Sequence, residues 1–120
     1  MIPHIKKRWV AALRSGKYQQ GRGLLNWNDQ FCCLGVLCEI AFEDGILTKS
    51  LDSRGRTVYS PADGSRHGDQ DPDGTHLLPT VVQDWVGLTL NPSVDGRPLS
   101  ARNDNGDSFA DIADLIEENL

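Results

Sequence analysis

The chain has 120 residues, 38% of them hydrophobic and 24% charged, with a formal net charge of -5. These values fit one folded globular domain rather than a disordered chain. They exclude a spanning helix, because no apolar run nears the roughly 20 residues a bilayer requires, and they argue against a general nucleic-acid binder, which carries a basic face.

Residues 3–15 read as the first helix. Pro3 suits its first turn, Ile5, Trp9 and Leu13 repeat every four residues with Ala12 beside them, and Gly16 suits the stop. No apolar segment with a small-residue cleavage site follows the basic start, so no secretory leader is expected. Residues 17–28 read as extended, with Gly21 and Gly23 marking a bulge or a close backbone approach and Asn26-Trp27-Asn28-Asp29 as a turn. A second helix over about 31–43, stopped by Asp44-Gly45, is apolar nearly all round and should be the buried centre. Gly35 within it costs about 1 kcal/mol against Ala, which suggests that a backbone or a ligand comes close there.

A hairpin is expected over 46–60, turning at Asp52-Ser53-Arg54-Gly55. Residues 61–76 read as a polar, mobile loop. Pro79 opens a short helix bearing Val81, Val82 and Trp85 and ending at Gly87. Leu88-Thr89-Leu90 suggests a short strand, and the stretch from Asn91 to Pro98 is rich in turn residues. The last helix begins at Ser108, where Asp111 three residues on resembles a capping box. The order predicts an α+β fold: a compact single domain over residues 1–120, with about four helices around a small antiparallel sheet.

Charge is unevenly spread. Residues 1–23 carry Lys6, Lys7, Arg8, Arg14, Lys17 and Arg22 and no acid, whereas the last 18 residues carry six acids and no base. Either the two ends lie together and offset one another, or the basic end lines an anion site.

Cys32, Cys33 and Cys38 are the only cysteines. On a helix none of them pairs with disulfide geometry, and an odd number close together suits a reducing cytosol. The C-C-x4-C spacing matches no zinc pattern. Three readings stay open: packing, since free Cys is among the most buried residues; a thiol lining a pocket; or a nucleophile at a helix start, with His67 or His76 as base and Asp71, Asp73 or Asn103 as orienter.

Other segments offer binding chemistry. In Gln20-Gly21-Arg22-Gly23 the glycines permit close approach and the guanidinium suits phosphate. Asp69-Gln70-Asp71-Pro72-Asp73-Gly74 opens like a calcium loop, but the position of its bidentate Glu is Thr80, so a solvated acidic loop is expected. Residues 102–108 could hold an anion at the next helix start, although Asn and Asp in turns usually bond their own backbone.

Tyr18-x-Gln20-Gly21-Arg22-Gly23-x-Leu25, Phe31-Cys32-Cys33-Leu34-Gly35-Val36-Leu37-Cys38, Leu78-Pro79-x-x-Val82-x-x-Trp85-x-Gly87-Leu88 and Asn103-Asp104-x-Gly106-x-Ser108-Phe109-x-x-Ile112-Ala113 together resemble a group of small bacteriophage and prophage proteins. The likeness covers most of the chain outside residues 46–76. It implies a phage accessory protein acting in the cytoplasm of the bacterial host. It brings no defined activity, and His67 and His76 lie outside the shared pattern.

The leading expectation is a counter-defence protein that binds and sequesters a small nucleotide-like immune signal. Arg22 with the backbone of Gly21 and Gly23 would hold phosphate. Tyr18, Trp27 or Trp85 would stack the base. Asn103 and Asp104 would bond ribose or base edges, with Gln20 beside them. No cofactor, metal or membrane contact is expected; a homo-oligomer is, because so small a chain needs a partner to enclose a ligand. Two alternatives come from other classes: a hydrolase or transferase using Cys32 or Cys33 with His76, and an inhibitor that binds a host protein.

Overall fold

The computed structural model describes residues 1–65 and 74–120. Among the described residues, five helices and three small sheets form one α+β domain. The first helix, α1 (Pro3–Arg14), buries Ile5, Trp9, Val10 and Leu13. The central helix, α2 (Cys33–Glu43), buries every residue from Cys33 to Ala41 except Glu39. The Trp9 indole donates to the Cys33 carbonyl at 2.9 Å, so the largest side chain of α1 fixes it against the start of α2.

The last helix, α5 (Phe109–Asn119), starts as expected. Ser108 Oγ accepts from the Asp111 amide at 3.1 Å, and the Asp111 carboxylate accepts from the Ser108 amide at 3.4 Å. This box satisfies two donors that a helix start leaves unpaired. Phe109, Ile112, Ala113 and Ile116 pack inward. Arg14 reaches from α1 to Asp114 at 2.6 Å and Glu117 at 2.8 Å. The basic and acidic ends of the chain therefore meet and offset one another.

The extended N-terminal region is shorter than expected. It contributes β1 (Gln19–Gln20) and β2 (Asn26–Trp27), which flank β3 (Gln30–Phe31) in the order β1-β3-β2. β1 runs parallel to β3, and β2 antiparallel with Trp27 opposite Gln30. Asn28 and Asp29 form the two-residue turn with φ of 54° and 59°, which a type I′ hairpin requires. The expected hairpin at 46–60 is β4 (Leu47–Leu51) paired with β5 (Thr57–Pro61). The Asp52 carboxylate closes its turn, accepting from the Arg54 and Arg56 amides, each at 2.9 Å, and from Arg56 Nε at 2.7 Å.

The short helix α3 (Thr80–Val86) ends at Gly87, whose φ of 74° is the left-handed stop. Leu88-Thr89-Leu90 is not a strand. The Leu90 carbonyl accepts from the Leu78 amide at 3.4 Å and otherwise pairs with no ladder. Residues 91–104 hold more structure than expected: a tiny hairpin, β6 (Ser93–Val94) and β7 (Arg97–Pro98), and then α4 (Leu99–Asp104). Leu99 and Asn103, four residues apart, are the buried face of that helix. Its single turn and a half carries too short a periodic pattern to read from sequence.

Of the loop expected at 61–76, residues 66–73 lie outside the described residues, and the readings that used His67, Asp71 or Asp73, including the calcium loop, fall there. Its far end is built into the fold. The Gly74 and Thr75 carbonyls accept from the Tyr59 and Leu25 amides at 3.2 and 2.8 Å, which lays this segment between β5 and the approach to β2. No helix is long and apolar enough to cross a membrane, among the described residues.

Candidate functional site

The structure gathers five of the expected ligand residues into one network: Gln20, Gly21, Gly23, Asn103 and Asp104. Asn103 is fully buried. Its Oδ1 accepts from Gln20 Nε2 at 2.9 Å and from the Cys33 amide at 3.2 Å. Its Nδ2 donates to the Gly21 carbonyl at 2.8 Å. Gln20 Nε2 also donates to the Asp107 carbonyl at 2.8 Å. Asn103 thus ties α4 to β1 and to the start of α2.

These bonds consume the groups that a phosphate would need. The Gly21 amide donates to the Phe31 carbonyl at 2.7 Å and the Gly23 amide to Asp104 Oδ1 at 2.9 Å. Gly21 is needed for packing, because a Cβ there would stand 2.8 Å from Cβ of Gln30. The Gly-Arg-Gly segment is therefore a structural crossing, and Arg22 beside it is exposed. Tyr18 is half-buried and stacks edge-on against Phe31, with centroids 5.2 Å apart. Trp85 is partly buried against the core on α3. Neither ring shares a described side-chain contact with this network.

The thiols are interior. Cys32, Cys33 and Cys38 are all buried. Burial pushes the Cys32 thiol up to about 11, outweighing the helix-start amides of Leu34 and Gly35 that pull it down. Burial likewise raises Cys33 well above the ordinary value, and its Sγ points to the Leu99 carbonyl at 3.5 Å. His76 is exposed, with Nδ1 bonded to Thr75 Oγ1 at 2.8 Å. The geometry favours packing for these thiols, because a nucleophile must present a thiolate. No group of three or more metal-ligating side chains occurs among the described residues.

Trp27 is the expected aromatic residue that stays open. It is 51% exposed, an unusual state for the largest side chain in a small domain. With Asn28 and Asp29 on the β2–β3 turn, it forms one wall of a cleft of about 400 Å³. The other wall is the β4–β5 hairpin, with Leu51, Arg54 and Thr57. Leu51 is 72% exposed, so both walls hold apolar surface in water. Arg54 is exposed and its guanidinium has no acceptor among the described residues. Asp29 and Asn28 hold their left-handed conformation without a glycine, a choice that costs about 1 kcal/mol each and places a carboxamide and a carboxylate at the rim.

A larger hollow of about 560 Å³ runs along α1, lined by Lys6, Lys7, Val10, Arg14 and Glu117 among others. It offers no exposed aromatic ring, and Arg14 there is already paired with Asp114 and Glu117. The smaller cleft has the richer set of functional groups. Sequence reasoning found Trp27 but missed Asp29, Leu51 and Arg54. Each was read only as turn or strand, and no local signal says that two turns 25 residues apart face one another.

The fold and cleft define a small α+β domain with buried thiols and an open aromatic–cationic cleft. Over residues 1–120 the chain matches the family described as a domain of unknown function (DUF8296), and it belongs to that family. No curated protein and no solved structure matches it.

Proposed function

We propose that this protein binds a small nucleotide-like anion in the cleft between the β2–β3 and β4–β5 turns. One observation carries the reading: Trp27 from one hairpin and Arg54 from the other line the same cleft, both exposed. An aromatic face stacks a base, worth about 1–3 kcal/mol. A guanidinium takes phosphate through paired N–H donors. The Asp29 carboxylate accepts hydrogen bonds from ribose hydroxyls or an exocyclic amine, which only accept-capable groups at the rim can do. The buried thiols weigh against the Cys-dependent alternative.

In the phage-protein context that the resemblance implies, such a binder would sequester a host immune signal in the bacterial cytoplasm, and a second copy would close the open side of the cleft. Calorimetric titration with adenosine and guanosine monophosphates and with the linear dinucleotides pApA and pGpG tests the reading. Saturable heat with at least one of these is expected. Trp27→Ala should weaken binding of nucleoside and nucleotide alike. Arg54→Ala should weaken only the phosphorylated forms. Absence of saturable heat with all four overturns the reading.

A further inference from the structure

The cleft does not end at Thr57. A second hollow of about 260 Å³ is lined by Asn26, Lys49 and Ser50 together with Asp29, Leu51 and Thr57. The last three also line the Trp27 cleft, so the two hollows adjoin along a shared edge. Single ligand pockets run from roughly 300 Å³ upward; the first hollow fits a mononucleotide, and the pair fits something longer.

Two residues that line the second hollow, Lys49 and Asn26, are held by a continuous set of bonds. Lys49 Nζ donates to Glu39 Oε1 at 3.0 Å and lies 4.3 Å from the Phe42 ring centroid. Glu39 Oε2 accepts from the Tyr59 hydroxyl at 2.7 Å, and that hydroxyl accepts from Asn26 Nδ2 at 3.2 Å. Asn26 Oδ1 in turn accepts from the Asp29 amide at 3.1 Å. One chain of bonds therefore links β2, β5, α2 and β4, and holds both the Lys49 ammonium and the turn that carries Trp27. Asn26 and Tyr59 in this chain are buried, with 3% and 0% exposure. An ammonium has three donors; the Lys49 donors that do not meet Glu39 have no acceptor among the described residues.

We infer that the cleft is a two-subsite groove, and that its ligand is a dinucleotide-length molecule with a second anionic group seated against Lys49. This rests on the reading of the Trp27–Arg54 cleft given above. Trp27 and Arg54 take the first nucleotide, and Lys49 with the exposed Ser50 takes the second phosphate and its sugar. Glu39 and Tyr59 touch no ligand; they are positioning residues that hold the ammonium in place. Linking two weakly held groups in one molecule raises affinity far above either alone.

The test compares adenosine monophosphate with pApA by calorimetry on the intact chain. The wild type should bind pApA at least about tenfold more tightly than the monophosphate. Lys49→Ala should erase that advantage while changing monophosphate affinity by less than about twofold, and Lys49→Arg should restore most of it. Trp27→Ala should weaken both probes together. Equal wild-type affinity for the two probes, or an advantage that survives Lys49→Ala, overturns the second subsite and leaves the first standing. If neither these probes nor guanosine monophosphate and pGpG bind, the cleft reading falls and the subsite with it. Circular dichroism of each variant confirms that the fold is retained, and Lys49→Gln, which removes the charge but keeps a long polar side chain, should lose the advantage in the case in which Lys49→Ala unfolds.

Discussion

The backbone carbonyl of Leu25 occupies the space that a β-carbon on Gly35 would need. The glycine in the middle of the central helix is thus explained by chain packing: the strand approach to β2 lies directly on α2. Two effects compete in Gly35→Ala. Alanine gains about 1 kcal/mol of helix propensity. Overpacking against a backbone atom costs about 1–3 kcal/mol or more, because a carbonyl cannot rotate away as a side chain can. The clash wins. Gly35→Ala should lower the unfolding free energy by at least about 1 kcal/mol, read as a lower denaturant midpoint. A rise in the midpoint would show that Leu25 does not lie there.

Asn103 is the second keystone. Replacing it with Ala strands the Cys33 amide and the Gly21 carbonyl, each a buried group whose loss of partner costs about 1–3 kcal/mol. A loss of about 3 kcal/mol or more is expected in urea melts. Asn103→Asp keeps the acceptor but sets a carboxylate against the Gly21 carbonyl and Asp104. That variant should regain stability relative to wild type as the pH falls, since a protonated carboxyl again donates. An Asn103→Ala protein as stable as wild type would refute the network.

Asp29 separates stability from binding. It holds a φ of 59° that glycine adopts freely. Asp29→Gly leaves its amide bond to Asn26 intact; relief of the left-handed strain offsets the entropy that glycine adds to the unfolded chain, so stability should change by less than about 1 kcal/mol. The same change removes the rim carboxylate and should weaken nucleotide affinity. A variant that binds unchanged would take Asp29 out of the site.

The thiols give a pH signature. The Cys32 value of about 11 lies above the ordinary 9.0, so the folded state disfavours the thiolate. Above pH 9 the unfolded chain loses that proton first, so stability declines as the pH rises toward 11. Below pH 9 the contribution is constant. At pH 8 only about one Cys32 in a thousand is a thiolate even if solvent reaches it. Iodoacetamide at pH 8 should label the native chain far more slowly than a free model thiol and label it fully in guanidinium. Fast native labelling at Cys32 or Cys33 would revive the thiol-enzyme reading.

Much of the fold is legible in the residues themselves. The spacing of Ile5, Trp9 and Leu13, the apolar run after Cys33, the Ser108–Asp111 box and the Gly87 stop are local signals, and local physics decides them. Helix α4 and the two-residue strands are not legible, because a segment of six residues or fewer carries too little periodicity, and long-range bonds such as those of Asn103 fix its state. The candidate site divides the same way. Trp27 stands out in the sequence as an aromatic in a turn. Gly21-Arg22-Gly23 stands out equally, yet its amides are claimed by Phe31 and Asp104. Sequence by itself singled out the ring of Trp27 and left the guanidinium of Arg54 and the ammonium of Lys49 as unremarked parts of the expected hairpin. Tertiary structure alone decided which of them remain unspent, because hydrogen-bond partners and burial are set by segments that meet only after the chain has folded.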